Sequence, residues 1–370
     1  MNISQKKITF AVAAIGIAGL AHAQSSVTLY GKIDAGLTFV NNEGGGKNFF
    51  FDNSVLYGNR WGLKGTEDLG GGTSTIFDLE SGFNLGTGIL KQGGAEFGRE
   101  AWVGLQGDFG KVTLGKQNDF TNDYVESFNV SSWGSGYAIH QGDFDRMNGD
   151  MLTNSIKFRS NNYSGFDFGG MWSFGNQAGA FHNDAAWSAG GEYANGPVKM
   201  GLAYTYLADP TIDPYAAIGV HSFFGQTVAT VANNTATDLN SNFKLNSLGT
   251  LAIGGSYAIG KLSLIGNFTD TTLKLGSESS VMHVYEGGAT YQFNAATLGV
   301  VGYQHTDFQG NHWNQGSAGL QYALSKRTSV YVSADYLKAS AGVDPTIGYS
   351  FAPSLSGSQI DGRVGMFTSF

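Results

Sequence analysis

From Val27 onward, apolar residues recur at every second position. Val27, Leu29, Ile33, Ala35, Leu37 and Phe39 share one face, and Thr28, Tyr30, Lys32, Asp34 and Thr38 the other. A period of two belongs to an extended strand with unlike faces. The alternation returns in Thr75-Phe77-Leu79 against Asp78 and Glu80, and in Ile156-Phe158 against Ser155, Lys157 and Arg159. It continues through Phe166-Phe168-Gly170-Trp172-Phe174, Val198-Met200-Leu202-Tyr204-Tyr206, Leu262-Leu264-Gly266-Phe268, Val330-Val332-Ala334-Tyr336 and finally Val364-Met366-Thr368-Phe370. No stripe of helical period competes with it.

Short turn signals punctuate these strands at Asp68 to Gly72, Gly107 to Gly110, Asn161 to Gly165, Asn195 to Pro197, Ala258 to Lys261, Asn294 to Ala296 and Ser325 to Arg327. Between them lie longer polar stretches, notably Asn118 to Asp150, Ala208 to Phe243 and Ser340 to Ser358, so tight and long connections are expected to alternate. An antiparallel barrel in an outer membrane is built this way, with hairpin turns on the periplasmic side and loops outside. The seven turns join fourteen strands, and one strand at each end makes sixteen. The fold class is therefore all-β: a sixteen-stranded antiparallel transmembrane barrel.

Residues 1–23 read as a separate unit. Lys6 and Lys7 precede an apolar run from Ile8 to Leu20 and the small-residue site Ala21-His22-Ala23, the pattern of a secretory signal peptide cleaved after Ala23. The run is shorter than the roughly 20 residues that span a bilayer as a helix. Residues 24–370 form the barrel. Its apolar face could be buried in a core or turned to lipid, but the other face carries Lys, Arg, Asp, Glu and Thr, which suits a water-filled lumen. Closure leaves every backbone group paired. Phe109, Phe166, Tyr193, Tyr257, Tyr291, Phe293 and Tyr322 lie beside the tight turns, where a periplasmic aromatic girdle would sit.

Composition supports export and excludes several chemistries. Only 14% of residues are charged while 41% are hydrophobic, an odd balance for a soluble enzyme of 370 residues. The net charge of -8 and the lack of any Lys/Arg-dense segment argue against a nucleic-acid partner. With no cysteine, disulfides, thiolate nucleophiles and cysteine metal sites are ruled out. No Walker loop, G-x-S-x-G elbow or H-E-x-x-H is present, and His140, His182, His221, His283, His305 and His312 are scattered without ligand spacing. No catalytic residue, metal site or cofactor is expected.

Several segments resemble the Gram-negative general porins of the Neisseria and beta-proteobacterial type. They are Ser26-Val-Thr-Leu-Tyr-Gly-Lys-Ile-Asp-Ala-Gly, Arg60-Trp-Gly-Leu-Lys-Gly-Thr-Glu-Asp-Leu-Gly-Gly-Gly, Phe97-Gly-Arg-Glu-Ala-Trp-Val-Gly-Leu, Phe109-Gly-Lys-Val-Thr-Leu-Gly, Asn154-Ser-Ile-Lys-Phe and the terminal Phe370. The resemblance covers essentially the whole chain after the leader and is softer between Ala208 and Phe243. It implies a homotrimer in outer-membrane lipid that passes small hydrophilic solutes and ions by diffusion, with Phe370 read by the outer-membrane insertion machinery. It also implies that the third outer loop, Asn118 to Asp150, folds into the barrel and narrows it. Asp119, Asp123 and Glu126 would then face a basic wall of Arg60, after the first long loop, Arg99 and Lys157, with Glu80 as an acidic wall partner. The matching basic cluster implies a modest anion preference.

Strand parity bears on that wall. Arg60 and Lys64 alternate with Trp61 and Leu63, Lys157 and Arg159 with Ile156 and Phe158, and Glu80 with Leu79, so all five face the lumen. Arg99 shares parity with the outward Ala101, Val103 and Leu105, so it must sit at a strand end, beside a bulge or outside the pore. A solvated lumen residue without special effect is the plainer reading of each charge. Two other functions remain open: a substrate-specific channel with a saturable site, and a surface-interaction barrel using the Ala208 to Phe243 loop, whose Asn/Thr/Ala-rich composition predicts mobility.

Overall fold

The structure, a computed structural model, describes residues 25–233 and 235–370. The expected signal peptide therefore lies outside the described residues. Sixteen antiparallel strands follow one another: β1 (Ser26–Glu43), β2 (Gly46–Asn53 and Arg60–Gly70), β3 (Thr73–Gly82), β4 (Glu100–Gly107), β5 (Gly110–Asn118), β6 (Met151–Arg159), β7 (Phe166–Ser173) and β8 (Ala186–Asn195). The second half comprises β9 (Val198–Ala208), β10 (Ser247–Ile259), β11 (Leu262–Leu275), β12 (Glu278–Gln292), β13 (Thr297–Phe308), β14 (Asn311–Ala323), β15 (Thr328–Ala339) and β16 (Ser358–Ser369). β1 pairs with β16 from Lys32 opposite Ser369 to Val40 opposite Asp361, which closes the barrel and leaves no free edge. β2 is one strand with a break. Its first half pairs with Ala35 to Glu43 and its second with Ser26 to Lys32. In the break, the amides of Leu56 and Tyr57 donate to Asp34 at 3.1 and 3.2 Å, so the backbone leaving the ladder still finds partners.

The two faces invert the rule of soluble proteins. Val27, Val301 and Val364 are 66%, 58% and 61% exposed, whereas Thr269, Gln304 and Arg363 on the opposite parity are 0%, 2% and 2% exposed. An apolar band of this extent would aggregate in water and is satisfied by acyl chains. A shallow apolar groove of about 680 Å³, lined by Leu262, Tyr291, Phe293, Val301, Leu320 and Val332, belongs to this outward face.

All seven expected periplasmic turns are present, the first with Gly70, Gly71 and Gly72 at positive φ. The outer side departs from the expected alternation. Three of its connections are two-residue turns at Gly44-Gly45, Gly276-Ser277 and Gln309-Gly310, so no long loop precedes Arg60. The strands themselves carry the extra length: β1, β11 and β12 run 18, 14 and 15 residues, beyond the roughly 9–11 that cross a bilayer.

The segment between β9 and β10 also departs from expectation. Instead of a mobile stretch it forms a short helix (Pro214–Ile218) and three short strand pairs. Ile218, Phe223, Val228, Phe243 and Leu245 are buried against Phe308, Trp313 and Leu337 on the outer ends of the barrel's inner face. The loop before β16 joins the same cluster through Val343, Ile347 and Phe351. Average composition concealed these anchors, which are sparse but individually large.

Candidate functional site

The segment between β5 and β6 opens with a five-residue helix, Phe120–Tyr124, capped by Asp119, whose side chain accepts from the Asn122 amide at 3.1 Å. Single 3-10 turns follow at Glu126–Phe128, Val130–Ser132 and Gln141–Asp143. Such irregular backbone needs partners, and the inward faces of the strands supply them. Ser188 accepts from the Phe120 amide at 3.0 Å, Asn267 donates to the Phe128 carbonyl at 3.1 Å, and Glu286 accepts from the Val130 amide at 3.1 Å. Gln304 and Gln315 donate to the Ile139 and Tyr137 carbonyls at 3.3 and 3.1 Å. Glycines make the wall smooth enough for this contact. A Cβ at Gly254 would strike the Phe128 ring, and one at Gly302 would collide with Val130.

His140 lies fully buried in this segment, with Nδ1 2.6 Å from Asp145 Oδ2 and Nε2 3.3 Å from Glu286 Oε2. Burial works against a charged imidazole, but these two carboxylates outweigh it and carry the His140 pKa up to about 10. Asp145 in turn accepts from Thr269 at 2.7 Å.

The expected wall residues separate into two groups. In the first, Glu80 lies between two arginines, with Oε2 3.3 Å from Arg60 Nε and Oε1 2.5 Å from Arg99 Nε. Arg99 sits just before β4 begins, its amide donating to the Glu80 carbonyl at 3.1 Å, which answers the parity conflict: it is a strand-end residue. Both arginines line a polar cavity of about 810 Å³ together with Tyr57, Lys91, Glu126 and Asp150. Their side chains are 25% and 23% exposed, against 9% for Glu80 behind them. Burial raises the pKa of Glu126, while Arg60 and Arg99 pull it back toward the charged form.

In the second group the charges are paired. Lys157 Nζ lies 2.6 Å from Asp123 Oδ2 and donates to the Asn118 carbonyl at 2.7 Å. Arg159 donates twice to Asp167, at 2.9 and 3.0 Å, and approaches Glu192 at 3.6 Å. Phe120 lies over Lys157 and Tyr124 over Arg159, each at 4.8 Å.

The remaining expected residues fall elsewhere. Asp119 is fully buried and held by Arg146 Nε at 2.6 Å, so it meets its own loop and not the opposite wall. Lys64 lies across the ladder from Asp78 and 5.1 Å from the Tyr30 ring, four residues along β2 from Arg60. Phe370 ends the ladder, exchanging backbone hydrogen bonds with Gly31 at 3.1 and 3.2 Å while its ring stays exposed outside. Sequence reasoning missed Lys91, Arg146 and Lys199. Lys199 was legible, since it alternates with Val198 and Met200; it pairs with Glu192 at 3.2 Å. Lys91 and Arg146 lie in irregular connections, where parity gives no signal.

A protein-family model described as Gram-negative porin matches residues 9–342. The chain is 31% identical to an outer membrane porin protein of Bordetella pertussis, over 90% of this chain and 94% of the relative. Among solved structures, the anion-selective porin from Comamonas acidovorans superposes with a TM-score of 0.76 at 24% identity, covering 94% of this chain and all of that one. The OmpT outer membrane protein of Vibrio cholerae, in a form described as a trimer, gives 0.65 at 14% identity over 94% and 99% of the two chains. At these identities the structures bear on the fold. The matched residues, the relative and the closed barrel together place this chain in the Gram-negative porin family of the bacterial outer membrane.

Proposed function

We propose that the outer-membrane diffusion channel formed by this chain prefers anions modestly, and that Arg60 and Arg99 set the preference. The carrying observation is that two guanidinium groups share the single Glu80 carboxylate and reach the cavity water more than it does. Selectivity follows the charges nearest the ion path. Glu126 and Asp150 line the same cavity, so a transverse field crosses it and the net preference stays small. The segment from Asn118 to Asp150 would supply the narrowing, and Lys157, Arg159 and Asp123 would hold that segment in place more than they would steer ions. We read the assembly as a homotrimer and Phe370 as the signal for outer-membrane insertion.

The test is the reversal potential of single channels in planar bilayers under a salt gradient. Arg60→Ala with Arg99→Ala should abolish the anion preference, and an unchanged reversal potential would refute the assignment. Conductance should rise with salt without saturating; saturation by a sugar or an anion would favour a substrate-specific channel.

A further inference from the structure

Asp307 stands near the outer end of β13 on the outward face, in step with Val301 and Tyr303. The two-residue turn at Gln309-Gly310 brings His312 of β14 directly across the ladder from it, and His283 of β12 faces it from the other side. His305 lies two residues earlier on the same face. His305 Nε2 is 3.1 Å from Asp307 Oδ1, and His312 Nδ1 closes on that same oxygen. These donor atoms all lie within 4.8 Å of one another. Ligands about 2 Å from a tetrahedral ion stand roughly 3.3 Å apart, so side-chain adjustments on the order of 1–1.5 Å would enclose one.

The ring of His305 is oriented from behind. Its Nδ1 lies 2.8 Å from Asn314 Oδ1, which also accepts from the Tyr303 hydroxyl at 2.6 Å. With Nδ1 donating to that oxygen, Nε2 is the ring nitrogen left on the Asp307 side, where its lone pair can ligate a metal ion. His283 is engaged by Asp270 at 3.0 Å and flanks the site. The side chains of His305, Asp307 and His312 are 33%, 37% and 55% exposed, so an ion has access and a place remains for water.

We propose that His305, Asp307 and His312 bind one divalent transition-metal ion of the zinc type on the outer rim of the barrel, with Asn314 as a positioning residue. Two imidazoles and one carboxylate suit zinc or nickel, whereas magnesium and calcium prefer all-oxygen sites. The site is separate from the channel, because its residues have outward parity.

Zinc titration of the intact protein in detergent, followed by calorimetry at neutral pH, tests this. One ion per chain is expected, with magnesium giving no comparable heat. His305→Ala with His312→Ala should remove the binding while leaving conductance unchanged, and Asn314→Leu should weaken it roughly 10- to 100-fold. His182→Ala, in the connection between β7 and β8, should bind as the parent does. Absence of zinc uptake by the parent protein, or uptake unchanged in the double histidine variant, would overturn the proposal.

Discussion

Arg60 and Arg99 on one side of the lumen, and Lys157 and Arg159 on another, are similar in charge but not in company. The first two share one carboxylate and border open water. The second two meet Asp123, Asp167 and Glu192, with the rings of Phe120 and Tyr124 lying over them. A cation beside water contributes to the field that an ion feels. A cation matched by partly buried carboxylates in direct contact contributes mostly to holding its partners, since neutralised pairs have little reach. The number of acids in direct ion-pair contact, one against three, separates a selectivity residue from a clamp more than the facing direction does.

The largest effect should come from exchanging these roles. Alanine at Arg60 and Arg99 should move the reversal potential furthest toward cations, because Glu80 is left unopposed beside Glu126 and Asp150. Alanine at Lys157 and Arg159 should move it less. A shift of equal size from both pairs would erase the distinction between them.

The second effect concerns the clamp. Lys157→Ala leaves Asp123 without its cation in a largely buried setting, a loss of about 3 kcal/mol for a pair of this kind. The loop end at Asn118 to Asp123 should loosen, which single-channel recordings would register as added current noise and limited proteolysis as new cleavage near that helix. Asp123→Asn should do the same, because it breaks the same contact from the other end. Quiet, protease-resistant channels in both variants would mean that the pair carries no load.

How much of this was legible follows from what each signal encodes. Period two carried the strands, the lipid face and all seven periplasmic turns, because strand geometry forces alternation and the hairpins need Gly, Asn and Pro at fixed places. It could not show that β2 breaks between Asn53 and Arg60, where compensation comes from Asp34, 22 and 23 residues away in sequence from the amides it accepts. Parity placed Lys157 and Arg159 correctly inward but was silent on Asp123, whose partner depends on how an irregular loop folds. Asp119 shows the same limit: it was expected to face the wall but turns to Arg146, also in that loop. The histidines looked scattered because His305 and His312 are separated by a hairpin turn that only the fold brings round. Inward glycines such as Gly254 and Gly302 were an available trace of the loop's track and went unread.

The smallest effect should appear on raising the pH. His140 anchors the loop by presenting a charged ring to Asp145 and Glu286, with Asp143 nearby in the same segment. Its folded-state pKa of about 10 lies above the ordinary value of 6.5, so its contribution is full below about 6.5 and is lost as the pH rises through about 10. Channel noise should therefore grow between pH 7 and 10. His140→Gln cannot carry the charge, so it should be noisy across the whole range and flat with pH. The added noise should stay below that of Lys157→Ala. A parent channel as quiet at pH 10 as at pH 7 would show that the imidazole is not the charged partner its surroundings demand, and the anchoring would then rest on the neutral hydrogen bonds of Asn267, Gln304 and Gln315.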